Sequence, residues 1–226
     1  MSARTKVWFY FDVVSPWSYV GFQVLRRYQS MWNLDVTYKP VNLGYIIKFS
    51  GNKSPISVAN KGIWMGQDRD RAAKFYGVTL NPTKQFPINT MHLQAFLSVL
   101  AAAHPTTLER AIETCFAAIW HHDYACATRD DLDAIFAKSD YLGLGSDKVG
   151  KVLDEALTKE TRKRMQDEAQ ALVEENGLFG MPSFEVVRGE GGDKTLWFGS
   201  DRFEQLAAWL EVPYKGPFAD GSVAKL

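Results

Sequence analysis

The sequence predicts an α/β fold in which a four-stranded mixed sheet, formed by the two ends of the chain, is interrupted by an all-helical block. Three observations predict this fold class. Residues 6–41 follow the pattern strand, helix, strand, residues 184–210 follow the pattern of a hairpin and a helix, and residues 60–176 carry only helical spacings. Because neither end could cover its own sheet, we expect the two ends to pair in one sheet with helices on its faces.

The first strand and the first helix meet at a segment that could hold an anion. Residues 6–12 are almost entirely apolar, which is typical of a strand covered on both faces. Ser15 and Pro16 suit the cap and the first position of a helix predicted over 16–32, and Gly21 is expected to let that helix approach the sheet closely. The Ser15 hydroxyl should therefore lie at the positive end of a helix, although a plain helix cap is the simpler interpretation of this segment taken alone.

The second strand is predicted over residues 35–41, and a short helical turn over 42–50 follows it. The next segment, 50–55, has the composition of a surface turn and contains Asn52. Asn52 is either a turn residue that tolerates a left-handed backbone or a residue whose side-chain amide points into a cleft.

The apolar spacing in the middle of the chain predicts six helices. Capping boxes are predicted at Thr106 with Glu109 and at Thr128 with Asp131, and Gly177 is expected to end the last helix. The predicted helices cover residues 63–76, 90–103, 106–124, 128–138, 146–157 and 159–176. We therefore assign residues 1–59 and 177–226 to a discontinuous sheet domain and residues 60–176 to an inserted helical domain.

The end of the chain returns to strands. Met181 and Pro182 lead into a hairpin predicted over 184–198, whose polar turn is rich in glycine. Ser200 and Asp201 then begin a helix predicted over 202–210. The simplest interpretation of this start is capping, with Glu204 as the box partner of Asp201.

The composition excludes several classes of function. Hydrophobic residues make up 46% of the chain, enough for a core, and 26 basic residues balance 26 acidic ones, so we expect no nucleic-acid partner. The sequence contains no apolar stretch of membrane-spanning length, and its start is too short and polar for a secretory signal. Cys115 and Cys126 form no metal or redox pair by spacing, so we expect free thiols and no bound metal.

The last three residues predict a destination. Ala224, Lys225 and Leu226 form a near variant of the C-terminal Ser-Lys-Leu address, which predicts import into the peroxisome. The alternative is an ordinary frayed tail.

The order of elements resembles a thioredoxin fold with a helical domain inserted in the middle. In thioredoxin-like proteins a Cys-x-x-Cys motif begins the first helix, and a proline with a cis peptide bond opens the third strand and faces that motif. Here the residues from Ser15 to Ser18 occupy the first place, and Met181-Pro182 occupies the second. Because serine replaces both cysteines, disulfide exchange through this motif is chemically excluded.

Four segments narrow the resemblance to the kappa-class glutathione transferases. They occur in the order of that family, and the similarity spans nearly the whole chain. The segments are FDVVSPWS at 11–18, SGNK at 50–53, FGMP at 179–182 and FGSDR at 198–202. The bacterial 2-hydroxychromene-2-carboxylate isomerases share this architecture and also use glutathione.

The resemblance implies that glutathione is a co-substrate whose thiolate accepts a hydrogen bond from Ser15. That hydrogen bond and the helix start would both lower the thiol pKa from about 8.5, which would make the sulfur a better nucleophile at neutral pH. The backbone of Met181, next to Pro182, would pair with the cysteinyl part of glutathione as an added strand does. Pro16 and Trp17 would border the sulfur, and Trp17 would either line an electrophile pocket or pack in the core.

The resemblance also implies how the ends of glutathione are held. The free amides around Ser200 would bind the γ-glutamyl carboxylate, and Asp201 would bind its ammonium group. Asn52 would hydrogen-bond the peptide. Lys61 would bind the glycine carboxylate, or it is simply a solvated residue at a helix start. The helical block would form the other wall of the electrophile site, and its candidate residues, which could equally be core, are Trp64, Met65 and Phe75.

Three functions remain open from the sequence. The first is a glutathione transferase, implied to be a homodimer of peroxisomes or mitochondria, that conjugates small hydrophobic electrophiles and also reduces peroxides. The second is a glutathione-dependent isomerase of a chromene carboxylate, and the third is a redox-dead, thioredoxin-like protein that binds extended peptides. A Ser-His-Asp hydrolase is poorly supported, because no histidine lies in the sheet domain; the four are His92, His104, His121 and His122.

Overall fold

The computed structural model describes residues 4–136, 142–189 and 191–222, and it contains a four-stranded mixed sheet. The strands are β1 (Thr5–Phe11), β2 (Leu34–Pro40), β3 (Ser183–Val187) and β4 (Lys194–Phe198), in the order β2-β1-β3-β4. β1 pairs with β2 in parallel and with β3 antiparallel, and β3 pairs antiparallel with β4. The two ends of the chain therefore share one sheet, as predicted.

The helices surround this sheet and fill the middle of the chain. They are α1 (Pro16–Gln29), α2 (Leu43–Ser50), α3 (Ala59–Tyr76), α4 (Met91–Ala103), α5 (Leu108–Trp120), α6 (Arg129–Phe136), α7 (Ser146–Ala156), α8 (Lys159–Asn176) and α9 (Phe203–Leu210). The predicted fold class, a thioredoxin-like mixed sheet with inserted helices, is confirmed. The two domain boundaries stay a prediction, and the predicted end of the sixth helix near residue 138 lies outside the described residues.

Several predictions of helix ends need correction. α2 is a helix of eight residues rather than a single turn, and α3 begins four residues before the predicted start. The box at Thr106 is wrong, because Thr107 caps α5 by position and its hydroxyl donates to the His104 carbonyl. The other box is confirmed, since the Asp131 amide donates to Thr128 Oγ1 and the Thr128 amide donates to the Asp131 carboxylate.

Each face of the sheet packs against a different set of helices. On one face, Phe9 and Phe184 pack with α1, α9 and much of the helical block. On the other face, Tyr10 and Met181 pack under α2 and α8. Both faces of β1 and β3 are thus covered, which explains their nearly continuous apolar sequences.

Gly21 brings α1 against the sheet, as predicted. A Cβ atom at this position would lie 3.3 Å from both the Phe184 and the Pro182 side chains and 3.5 Å from Phe9. A methyl group here would be in tight contact, so Phe184 and Pro182 would have to shift by a few tenths of an ångström. The close approach therefore sets the distance between the first helix and the proline loop.

No helix in the described ranges is long and apolar enough to cross a membrane.

Candidate functional site

Ser15 forms the cap of α1 at the carboxyl end of β1. Its backbone is extended, its Oγ accepts a hydrogen bond from the Ser18 amide at 3.1 Å, and its side chain is almost fully buried. The first turn of α1 itself carries no acidic residue that would offset the positive potential of the helix start. The predicted cap is confirmed, and its location suits an anionic sulfur.

The segment Met181-Pro182 lies directly against Ser15. The peptide bond between these two residues is cis, as the resemblance implies, and Ser15 Oγ donates a long hydrogen bond of 3.5 Å to the Met181 carbonyl. The Met181 side chain is buried in the core between the sheet, α2 and α8. The Ser15 hydroxyl thus forms a hydrogen bond between two residues that lie 166 positions apart in the sequence.

The turn before α9 is attached to the same proline loop. The Gly199 amide donates to the Pro182 carbonyl at 2.9 Å, which places Ser200 and Asp201 just beyond the end of β4. Ser200 is buried and Asp201 is exposed. The prediction that Asp201 caps the last helix is wrong, because Arg202 occupies the cap position and Asp201 instead forms an ion pair with it at 2.6 Å.

Asn52 joins the turn after α2 to the residues that precede Met181. Its Nδ2 donates to the Phe179 carbonyl at 2.7 Å, and its Oδ1 accepts from the Lys53 amide at 2.7 Å. The left-handed residue in this turn is Gly51, not Asn52. The side chain of Asn52 therefore points toward the proline loop, and Asn52 lacks the left-handed backbone of the first interpretation. The second interpretation, an amide that points into a cleft, stays a prediction.

The remaining predicted residues differ in how closely they join this group. Pro16 is buried at the first position of α1, and Trp17 beside it is half-buried. Lys61 is exposed in the first turn of α3, and within the described ranges no hydrogen bond or ion pair joins it to the other predicted residues. On the same helix Trp64 and Phe75 are exposed, so neither belongs to the core. Their contact with an electrophile stays a prediction.

Asp12 is a site residue that the sequence analysis missed. Its carboxylate is buried and accepts hydrogen bonds from the Val14 amide (3.0 Å), the Thr90 hydroxyl (2.7 Å) and the Leu43 amide (2.8 Å). Burial raises the pKa of Asp12, and these hydrogen bonds oppose that rise. Asp12 thereby connects the loop before Ser15 to the starts of α2 and α4. The signal that could have found it is a single carboxylate inside an otherwise apolar segment.

Ser18 is a second residue that the sequence analysis named only as part of the Ser15–Ser18 motif and not as a site residue. It is completely buried in the first turn of α1, and its Oγ has no hydrogen-bond partner within the described part of the chain. Its sequence position, three residues after Ser15, is where a redox motif would place the second cysteine.

Cys115 and Cys126 are both buried free thiols, and burial raises the pKa of each. Across residues 4–136, 142–189 and 191–222, no cluster of His, Cys, Asp or Glu side chains has the composition of a metal site.

Comparison with known families decides the family of this chain. The model of the DSBA-like thioredoxin domain matches residues 6–211. The chain belongs to the DSBA-like thioredoxin family. In this DSBA-like chain a cis-proline loop is hydrogen-bonded to the start of the first helix, and serine occupies both positions of the Cys-x-x-Cys motif.

Relatives of this DSBA-like chain include named enzymes. It is 28% identical to glutathione S-transferase kappa 1 of Homo sapiens, over 99% of this chain and 98% of the relative. It is 27% identical to glutathione S-transferase kappa 2 of Caenorhabditis elegans, over 97% and 98%. It is 25% identical to the 2-hydroxychromene-2-carboxylate isomerase of Pseudomonas putida, over 88% and 90%. The resemblance to kappa-class transferases predicted from the motifs is confirmed.

The solved structure of a 2-hydroxychromene-2-carboxylate isomerase has the same fold as this DSBA-like chain. The two superpose with a TM-score of 0.71 at 22% identity, over 91% of this chain and 94% of that structure. This likeness establishes the fold alone.

Proposed function

We propose that this protein is a glutathione transferase that activates the thiol of glutathione as a thiolate for attack on small hydrophobic electrophiles. The observation that carries the proposal is the hydrogen bond between Ser15 Oγ and the Met181 carbonyl at the start of α1. It brings a hydroxyl donor, a helix start and an extended backbone segment to one point. Relatives named kappa transferases, similar over nearly the whole chain, support the same reaction.

The proposed chemistry needs Ser15 as a donor and not as a nucleophile. The Met181 carbonyl would accept an amide hydrogen from the cysteinyl unit of glutathione, as in β-strand addition. Ser15 would then exchange its long hydrogen bond to that carbonyl for a bond to the glutathione sulfur. The thiol proton leaves to solvent, and the sulfur forms a bond to the electrophile while the leaving group departs.

The ends of glutathione would be held by the segments that surround this point. The amides near Ser200 and the carboxylate of Asp201 would take the γ-glutamyl end, and Asn52 would bind the peptide on the opposite side. Asn52 is hydrogen-bonded to the Phe179 carbonyl, and Gly199, the residue before Ser200, is hydrogen-bonded to the Pro182 carbonyl, which supports this arrangement. Lys61 would approach the glycine carboxylate, and Trp17 would border the electrophile.

Substitution of Ser15 tests the proposal directly. In conjugation of glutathione with chlorodinitrobenzene, Ser15→Ala should be slower at neutral pH by up to about tenfold, since a rise of one unit in the thiol pKa lowers the thiolate fraction by at most that factor. The difference in rate between wild type and Ser15→Ala should narrow at high pH, where the thiol ionises without the hydrogen bond from Ser15. Ser30→Ala, at the other end of α1, is the matched control and should behave as wild type. Equal rates for wild type and Ser15→Ala at every pH would contradict the role.

Peroxide reduction is an additional proposed activity of the transferase. A second candidate function is glutathione-dependent isomerisation. The isomerase relative from Pseudomonas putida favours it, but the transferase relatives are more similar over more of the chain. Turnover of a chromene carboxylate with substoichiometric glutathione would identify an isomerase. If calorimetry finds no binding of millimolar glutathione, the third function, binding of extended peptides by a redox-dead thioredoxin-like protein, replaces both.

We also propose the assembly and the location of the enzyme. Residues 224–226 favour the peroxisome, with the mitochondrion as the second destination that the resemblance implies. The resemblance likewise implies a homodimer, and light scattering that gave the chain mass of 25.5 kDa would exclude it.

A further inference from the structure

Ser18 contains a buried hydroxyl that no described contact uses. Its side chain is 0% exposed, and its Oγ forms no hydrogen bond within the described part of the chain. Buried hydroxyls almost always have a partner, because an unpaired one loses its hydrogen bond to water and gains nothing. The unpaired Ser18 hydroxyl lies in the first turn of α1, three residues after Ser15, and a role at the site would explain it.

Among the described hydrogen bonds of Ser18, the one that joins it to a predicted site residue is made by its backbone amide. That amide donates to Ser15 Oγ at 3.1 Å, while Ser15 Oγ donates to the Met181 carbonyl at 3.5 Å. A hydroxyl oxygen has two lone pairs, so Ser15 Oγ has room for one more donor. The Ser18 side chain can rotate among three staggered positions, and it starts from the residue whose amide already touches Ser15.

We propose that Ser18 is a positioning residue, whose hydroxyl donates to Ser15 Oγ when the Ser15 proton bonds the glutathione sulfur. The inference rests on the proposed function and deepens its account of the thiolate. Ser18 itself should not touch glutathione, because it is completely buried. It acts through Ser15, since a hydroxyl that accepts a second hydrogen bond becomes a stronger donor.

Removing the Ser18 hydroxyl should weaken thiol activation without weakening binding. In Ser18→Ala, the thiol pKa of bound glutathione should rise by about half a unit to one unit, and kcat/KM near neutral pH should fall about three- to tenfold. At acidic pH, where the bound thiol is protonated in both proteins, the Kd for glutathione should stay within about twofold of wild type. The thermal midpoint should not fall, because the hydroxyl has no partner in the free protein.

Thiolate absorbance in the ultraviolet and the pH profile of kcat/KM measure the bound thiol pKa. Thr161→Ala is a close control, because Thr161 is also a buried residue in the first turn of a helix, and its amide also donates to the hydroxyl of the capping residue, Thr158. It should leave the thiol pKa unchanged. Should Ser18→Ala not fold, Ser18→Cys keeps a weaker donor at similar volume, and its pH profile should be displaced in the same direction.

The outcomes separate this inference from the proposed function. If wild type neither binds glutathione nor lowers its thiol pKa, the proposed function fails. If wild type lowers the thiol pKa and Ser18→Ala or Ser18→Cys lowers it equally, the transferase stands and the role of Ser18 is overturned. A fall in thermal midpoint with an unchanged pH profile also overturns it, because the hydroxyl would then be structural.

Discussion

Glu185 is a buried carboxylate on the face of the sheet that α2 and α8 cover. Its oxygens accept hydrogen bonds from the Tyr10 hydroxyl (2.5 Å) and the Asn176 amide (2.6 Å), and Lys194 forms an ion pair with it at 2.8 Å. Burial alone would raise the pKa of Glu185, but its three partners together hold it below its usual value. The charged form of Glu185 therefore stabilises the folded protein.

A pH-dependent loss of stability should follow from this carboxylate. Because its folded pKa lies below the unfolded one, its stabilisation is present above the unfolded pKa of about 4.3 and is lost as the pH falls through the folded pKa. At neutral pH, Glu185→Gln should lower the free energy of unfolding by about 1–3 kcal/mol. Urea denaturation should show this deficit shrinking in acid.

The exposed Glu175 of α8 provides the control for that measurement. Glu175→Gln should change the free energy of unfolding by less than about 0.5 kcal/mol at either pH. A deficit of Glu185→Gln that stays constant from neutral to acidic pH would show that charge is not the cause.

Helix α4 is attached to the ends of two strands by one amide side chain. Gln94 is completely buried, and its Nε2 donates to the Phe11 carbonyl at 2.7 Å and to the Val41 carbonyl at 2.8 Å. Thr90, at the start of the same helix, reaches Asp12. The helical block is thus hydrogen-bonded to the sheet close to the loop that carries Ser15.

Loss of this amide should destabilise the junction between helices and sheet. Gln94→Met keeps most of the volume and removes both donors, and it should lower the free energy of unfolding by about 1–3 kcal/mol. The loss is limited because the Phe11 carbonyl also accepts from the Val41 amide, and because Gln94 Oε1 itself has no described partner.

Denaturation of Gln170→Met, on an exposed part of α8, gives the matched control and should stay within about 0.5 kcal/mol of wild type. If Gln94→Met were equally neutral, the two hydrogen bonds would contribute nothing to the attachment of α4.

At the scale of the whole molecule, the C-terminal segment is anchored to α1 and the turn after it. Trp32 Nε1 donates to the Pro213 carbonyl and Tyr28 donates to the Gly216 carbonyl, each at 2.8 Å, while Arg27 donates to the Pro217 carbonyl at 3.0 Å. This segment is therefore held by hydrogen bonds from side chains and not by a helix or strand of its own. The predicted address, residues 224–226, lies outside the described residues.

Deletion of residues 224–226 tests the predicted destination. A fluorescent protein fused ahead of the full chain should enter peroxisomes, and the shortened chain should not. Ala224→Ser, which completes the Ser-Lys-Leu address, is the positive control. Import of that variant together with a diffuse wild type would mean that the natural tail is not an address.

The elements of this fold follow from local properties of the sequence. Apolar spacing located the strands and most helices, and Ser15 was identified as a cap because a cap is a bond between residues three apart. The cis bond before Pro182 and the roles at the site came from the resemblance and not from periodicity. The caps predicted at Thr106 and Asp201 were each displaced by one residue, because several neighbouring polar residues can compete for one cap.

The resemblance implied that Met181-Pro182 faces the start of the first helix, but only the tertiary structure decided which atoms meet. The contacts from Ser15 to Met181 and from Asn52 to Phe179 join segments more than a hundred positions apart, and no local pattern encodes such pairs. The buried roles of Asp12, Gln94 and Glu185 were missed for the same reason, since their partners come from other elements. The unpaired hydroxyl of Ser18 is also a tertiary property, because a missing partner can be recognised only when all neighbours are in place.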